Sequence, residues 1–132
     1  MLEYDVKLLL AFGEVINGNK KISDYLLNNG FPELAALAHA IRGSEEAFNW
    51  LMRNGYPHFA ALDSAIDNKK EAYLWLAKND YTFLIVFADA CHRKPEALEY
   101  LNKQDLKIFV RLAMIIHNLR ENTTYDYHKL HF

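Results

Sequence analysis

Residues 35–59 read AALAHAIRGSEEAFNWLMRNGYPHF, and residues 60–84, which follow directly, read AALDSAIDNKKEAYLWLAKNDYTFL. The two stretches match place by place without a gap. Ala-Ala-Leu opens both, Trp-Leu fills the sixteenth and seventeenth places, and both close on Asn-Gly or Asn-Asp before an aromatic residue. Residues 85–109, IVFADACHRKPEALEYLNKQDLKIF, keep this register, residues 10–34 follow it more loosely, and a fifth copy from Val110 decays after Glu121. A fixed period of this length marks an array in which each unit is one supersecondary element that stacks on its neighbours.

Within each unit the third place is Phe12, Leu37, Leu62, Phe87 and Leu112, and the seventh is Ile16, Ile41, Ile66, Cys91 and Ile116. The second and sixth places are small or aliphatic. Places 2, 3, 6 and 7 draw one apolar stripe on a helix of period 3.6. A second helix is expected to bury Trp50, Trp75 and Tyr25, Tyr100 and Tyr125 at place 16. Beside them stand Leu26, Leu51, Leu76 and Leu101 at place 17.

The turn signals agree with this reading. Gly18 and Gly43 end first helices, and Asn19 and Ser44 are suited to cap the second ones. Pro32, Pro57 and Pro95 stand where a helix starts and the missing N–H of proline costs nothing. Asn29, Asn54, Asn79 and Gln104 share a place near the end of the second helix, where an amide can serve loop backbone. No alternation of period two is present, so no strand is expected. The fold class that follows is all-α, an α-α superhelix or solenoid of about five antiparallel helix pairs. It forms one domain over residues 1–132, with units from about residues 10, 35, 60, 85 and 110 and a C-terminal cap over 120–132.

Gly43-Ser-Glu-Glu46-Ala-Phe-Asn-Trp-Leu51-Met-Arg-Asn-Gly55 resembles the inner turn and second helix of an ankyrin repeat. The same frame recurs from Asn68 to Asp80 and, without glycine, from Arg93 to Asp105. The unit departs from ankyrin in having 25 residues, no room for the β-hairpin and no Thr-Pro-Leu-His opening. The resemblance covers residues 10–121 and implies a role in protein recognition rather than catalysis.

Composition narrows the function classes further. With 15 basic and 17 acidic residues the net charge is −2, too weak a field to hold nucleic acid or an anionic membrane. The single cysteine, Cys91, cannot form an internal disulfide, and no stretch approaches the ~20 apolar residues of a membrane span. A cytoplasmic location is the expectation.

Places 4, 5 and 8 of the first helix lie opposite the assigned stripe and vary between units, as an array varies when it builds one binding face from repeated parts. The expected partner-binding face is therefore His39, Arg42, Asp63, Ser64, Asp67, Asp89, His92 and His117. The partner is another protein or peptide, with basic character to match Asp63, Asp67 and Asp89. A different class of reading, a small metal-dependent or acid/base enzyme, would centre on Asp67, Asp89, His92 and His117. No His-Glu-x-x-His, phosphate loop or nucleophile elbow accompanies those residues, so no catalytic residue, metal or cofactor is assigned.

Overall fold

A computed structural model describes residues 1–130, with side chains through residue 122. The helices are α1 (Val6–Ile16), α2 (Lys20–Asn28), α3 (Pro32–Ile41), α4 (Glu45–Arg53), α5 (Pro57–Ile66), α6 (Lys70–Lys78), α7 (Thr82–Cys91), α8 (Pro95–Lys103) and α9 (Lys107–Leu130). Among the described residues there is no strand. The chain is all-α, a helical repeat in which neighbouring elements pack in sequence order.

Each turn closes the same way. The residue after the C-cap adopts positive φ at Gly18, Gly43, Asn68 and Arg93 within units, and at Gly30, Gly55, Asp80 and Asp105 between them. At Gly18 the backbone N–H donates to Val15 O at 2.9 Å, and the next N–H, of Asn19, donates to Glu14 O at 2.9 Å. That pair of bonds satisfies carbonyls which a helix end leaves open, and it turns the chain sharply enough for a short antiparallel return. Asn19 and Ser44 cap α2 and α4 by accepting from Ile22 N and Ala47 N, while Pro32, Pro57 and Pro95 open α3, α5 and α8. Asn29, Asn54 and Asn79 donate their side-chain amides to Tyr25, Trp50 and Trp75 carbonyls at 2.7–2.8 Å.

The first helices α1, α3, α5, α7 and α9 pack each against the next, and α9 packs against α1. The stack thus curves until its ends meet, and the five form an inner ring. Gly13 lies on that closing seam, where a Cβ would come within 3.0 Å of Leu112 Cδ2. The second helices form an outer layer, each seated over the joint of two inner ones: α2 on α1 and α3, α4 on α3 and α5, α6 on α5 and α7, α8 on α7 and α9. Where a fifth outer helix would begin, Leu119 replaces the polar capping residue of the other units and packs against the core, so α9 runs on. The α9–α1 seam has no outer helix over it among the described residues. Leu10 on α1 is accordingly 39% exposed, whereas its counterparts Ala35 and Ala60 are 1% exposed.

Closure corrects two expectations. Place 4, expected on the outer face, is core: Gly13, Ala38, Asp63, Ala88 and Ala113 are all buried, because a helix with an inner neighbour on either side encloses a wider arc. Place 16, expected inside, lies on the flank of the outer helices. Trp50 and Trp75 are half-buried, and Tyr25 and Tyr100 are 52% and 47% exposed. The leucines at place 17 are the most deeply buried residues of the outer helices, all at 0% exposure, with Ala72 and Ala97 beside them at 8% and 7%. Tyr125, and most of the expected cap over 120–132, lie outside the residues whose side chains are described.

Candidate partner-binding site

Seven of the eight residues expected on one face have partners elsewhere in the chain, and Ser64 alone has no side-chain bond among the described residues and borders an open groove. Arg42 Nη1 donates to Ile16 O at 2.7 Å, His92 Nε2 lies 3.0 Å from Ala65 O, and His117 Nδ1 lies 3.0 Å from Cys91 O. Three side chains at place 8 thus satisfy carbonyls at the end of the preceding inner helix. His39 Nε2 lies 2.8 Å from the buried Ser23 hydroxyl on α2. The Tyr73 phenol faces Asp89, and burial first, then the Asp89 charge, push that phenol above its ordinary value. Asp89 also pairs with Lys94 at 3.2 Å.

Asp63 is 6% exposed, so it does not face solvent as expected. Arg120 reaches across from α9, with Nη2 3.2 Å from Asp63 Oδ1 and Nη1 paired with Asp67. Burial raises the Asp63 carboxyl to about 6 even though the Arg120 charge and hydrogen bond pull it down. Desolvation therefore outweighs the ion pair at this site. His92 and His117 do not share a ligand, and among the described residues no three His, Cys, Asp or Glu side chains converge as a metal site would require. Cys91 is buried in the core, and burial pushes its thiol up. A thiol held protonated is a poor nucleophile.

The open surface with repeated character lies between the outer helices, where sequence columns alone did not place it. Outer helices stand on a wider circle than inner ones, so gaps open between them. One groove of about 270 Å³ runs between α2 and α4 over α3. Its floor is Ala35 and Ala36, its walls are Leu27 and Trp50, and Pro32 and Glu46 stand at its edges. A second, of about 280 Å³, runs between α4 and α6 over α5, with Ala60 and Ala61, Met52 and Trp75, Pro57 and Glu71 in the corresponding places. The next floor carries Ile85 and Val86, whose branched chains occupy space that alanine leaves open. His39 borders the first groove and Ser64 the second, so two of the expected face residues do belong to this surface.

The groove walls are held by stacked rings. Trp50 stacks on Tyr56 at 6.0 Å and 12°, and Trp75 on Tyr81 at 5.8 Å and 7°. His58 joins the two pairs by stacking on Tyr81 at 4.9 Å and 5°. A signal for the grooves was present in the sequence, as Ala-Ala at the opening of two units together with Trp fifteen places later. Among the described residues no helix is long and apolar enough to cross a membrane. Comparison with known proteins finds no matching family model, no matching curated protein and no matching solved structure.

Proposed function

We propose that this chain is a non-catalytic protein-interaction module of the cytoplasm that receives a segment of another protein in the grooves between its outer helices. The observation that carries this reading is the pair of apolar grooves one repeat apart, each with an Ala-Ala floor and a half-buried Trp wall. Apolar concavities with a few polar groups at the edge are how binding surfaces are built, and repeat arrays present them periodically. The resemblance of Gly43–Gly55 to the ankyrin helix pair supports the same reading. The groups of the enzyme reading, Asp67, Asp89, His92 and His117, are each engaged by Arg120, Lys94 or a backbone carbonyl, which favours a structural role for them. Asp63, Asp67 and Asp89 have cations of the chain beside them, and each groove is bordered by one acid and one base, Glu46 and Arg53 in the first and Glu71 and Lys69 in the second, so the charge of the grooves does not itself select a basic partner.

A photo-cross-linking residue in place of Met52, on the groove rim, tests this reading. The expected result is a protein adduct through that position that disappears when Ala36 and Ala61 are both replaced by Met to fill the grooves. Adducts that persist in the filled variant, or none at all, would count against the reading.

A further inference from the structure

The α9–α1 seam differs from the four covered joints at identifiable positions. On α1, Leu10 and Glu14 are exposed, whereas their counterparts Ala35 and His39 on α3, and Ala60 and Ser64 on α5, are buried or half-buried. On α9, Arg111 is exposed and Ile115 half-buried, whereas Ala36 and Ala61 are half-buried and Ala40 and Ala65 are buried. Val6, one turn before Leu10, is 57% exposed. These positions are the footprint of an absent outer helix. Its centre is apolar, at Val6, Leu10 and Ile115, and Glu14 and Arg111 stand one turn from Leu10 and Ile115 on the same faces. Neither charge has an ion-pair partner among the described residues.

Four covered joints within the chain specify what fits. Each outer helix sets a buried leucine at place 17 over its joint, with Ile22, Ala47, Ala72 or Ala97 at place 13. Its place 14 meets place 5 of the next inner helix: the Ser23 hydroxyl lies 2.8 Å from His39 Nε2, Phe48 and Ser64 border one groove, and the Tyr73 phenol faces Asp89. The place-5 residue of α1 is Glu14, so a helix on the seam would turn its place-14 side chain toward a free carboxylate. The chain does not supply that helix. In register, its tail puts Asn122 at place 13 and Asp126 at place 17, an acid where every covered joint buries leucine. Moreover α9 continues as one helix to Leu130 and does not fold back. The segment ahead of α1 is engaged elsewhere, with Tyr4 donating to Glu33 at 2.8 Å and Met1 lining a cavity with His58 and Tyr81. We propose that the seam is a second interaction site, separate from the grooves, that binds an amphipathic helix of another protein in the place of a fifth outer helix. That helix carries Ala, then Lys or Arg, and Leu three residues further on, so that leucine covers Leu10 and Ile115 while the base meets Glu14.

The test uses a peptide copied from α4, residues 44–54 with Phe48→Lys, held helical by a lactam between Glu45 and Asn49→Lys on its exposed face. It is titrated into the full chain and followed by the amide shifts of Leu10 and Ile115. Saturable shifts with a dissociation constant of ~100 μM or below are expected. Leu10→Glu should weaken binding at least about tenfold. Glu14→Lys should weaken it about threefold, and a peptide with Phe48→Glu in place of Phe48→Lys should recover that loss. Circular dichroism confirms that both variants remain folded. The Ala36→Met, Ala61→Met variant should bind as wild type does, which separates this site from the grooves. No shift at those amides up to about 1 mM, or shifts that survive both Leu10→Glu and Glu14→Lys, overturns the proposal. Self-association of the chain that Leu10→Glu abolishes, without peptide binding, overturns it in favour of a second copy on the seam.

Discussion

Arg120 Nη2 lies 3.2 Å from Asp63 Oδ1 across 57 residues of chain, joining the last inner helix to the third. Both groups are largely withdrawn from water, with 30% and 9% of their side chains exposed. Removing one partner of such a pair strands the other, which costs more than the pair itself contributes. Arg120→Leu should therefore destabilise the chain by about 2–3 kcal/mol, less than a fully buried pair because Arg120 keeps some water. Asp63→Asn in the same background should recover part of the loss. Urea denaturation of the two single variants and the double variant measures this, and equal, additive losses would show that the pair is not coupled.

The same carboxyl makes stability depend on pH. Its folded-state value is raised from 3.8 to about 6, so the folded chain holds the proton more tightly than the unfolded one. That contribution is present in full below about 3.8 and is lost as pH rises through about 6. Wild type should lose on the order of 2–3 kcal/mol relative to Asp63→Asn between those limits, two units at about 1.4 kcal/mol each. Denaturation midpoints of both proteins at several pH values give the difference curve. A flat curve, or one of opposite slope, would show that Arg120 rather than burial governs the carboxyl.

The repeat period carried the local structure of the first four units and the enclosure of each helix only in part, and it did not show that α9 runs on where a fifth outer helix would begin. Caps at Asn19 and Ser44, helix starts at the three prolines and the amide bonds of Asn29, Asn54 and Asn79 all depend on residues within a few places of one another. The burial of place 4 depends on α9 meeting α1, a contact between the two ends of the chain that no column comparison contains. His92 and His117 were legible as variable residues, yet their acceptors are carbonyls of the preceding unit, and a carbonyl has no letter in a sequence. Trp50 and Trp75 share a helix with Leu51 and Leu76 but point about 100° away from them, enough to move a side chain from core to flank.

That rotation has a measurable consequence. Leu76 is 0% exposed and Trp75 only half-buried. Leu76→Ala should cost about 2–5 kcal/mol, and Trp75→Ala, although it removes far more atoms, about 1–2 kcal/mol. Chemical denaturation of both variants orders them, and a larger loss at Trp75 would put the indole back in the core.

The turns offer a stabilising change. Arg93 sits at φ 61°, in the left-handed region that Gly18 and Gly43 fill in the first two units. A side chain with a Cβ is strained there, and arginine lacks the short polar group that lets Asn68 tolerate it. Arg93→Gly should raise stability by about 0.5–1 kcal/mol, after the larger entropy of an unfolded glycine is taken off. The rise in melting temperature reads it directly. A loss instead would mean that the arginine side chain makes a contact worth more than the strain.

Ring closure is tested at Gly13. A Cβ there would stand 3.0 Å from Leu112 Cδ2 and 3.4 Å from Ile115 Cδ1, both on the last inner helix. These are the ends of flexible side chains, so one methyl can be admitted by small adjustments and brings the helix preference of alanine with it. A leucine cannot be admitted in that way, and overpacking of this kind costs about 1–3 kcal/mol. If the array were an open stack, position 13 would face no other first helix than α3, and leucine would gain apolar contact at little cost. Gly13→Leu should therefore destabilise the chain, loosen α1 against α9 and speed hydrogen exchange in α1 before α5. Small-angle scattering of wild type should give a radius of gyration of ~14 Å, the value of a compact chain of this length. A markedly larger radius, together with a harmless Gly13→Leu, would mean that the two ends of the array do not meet in solution.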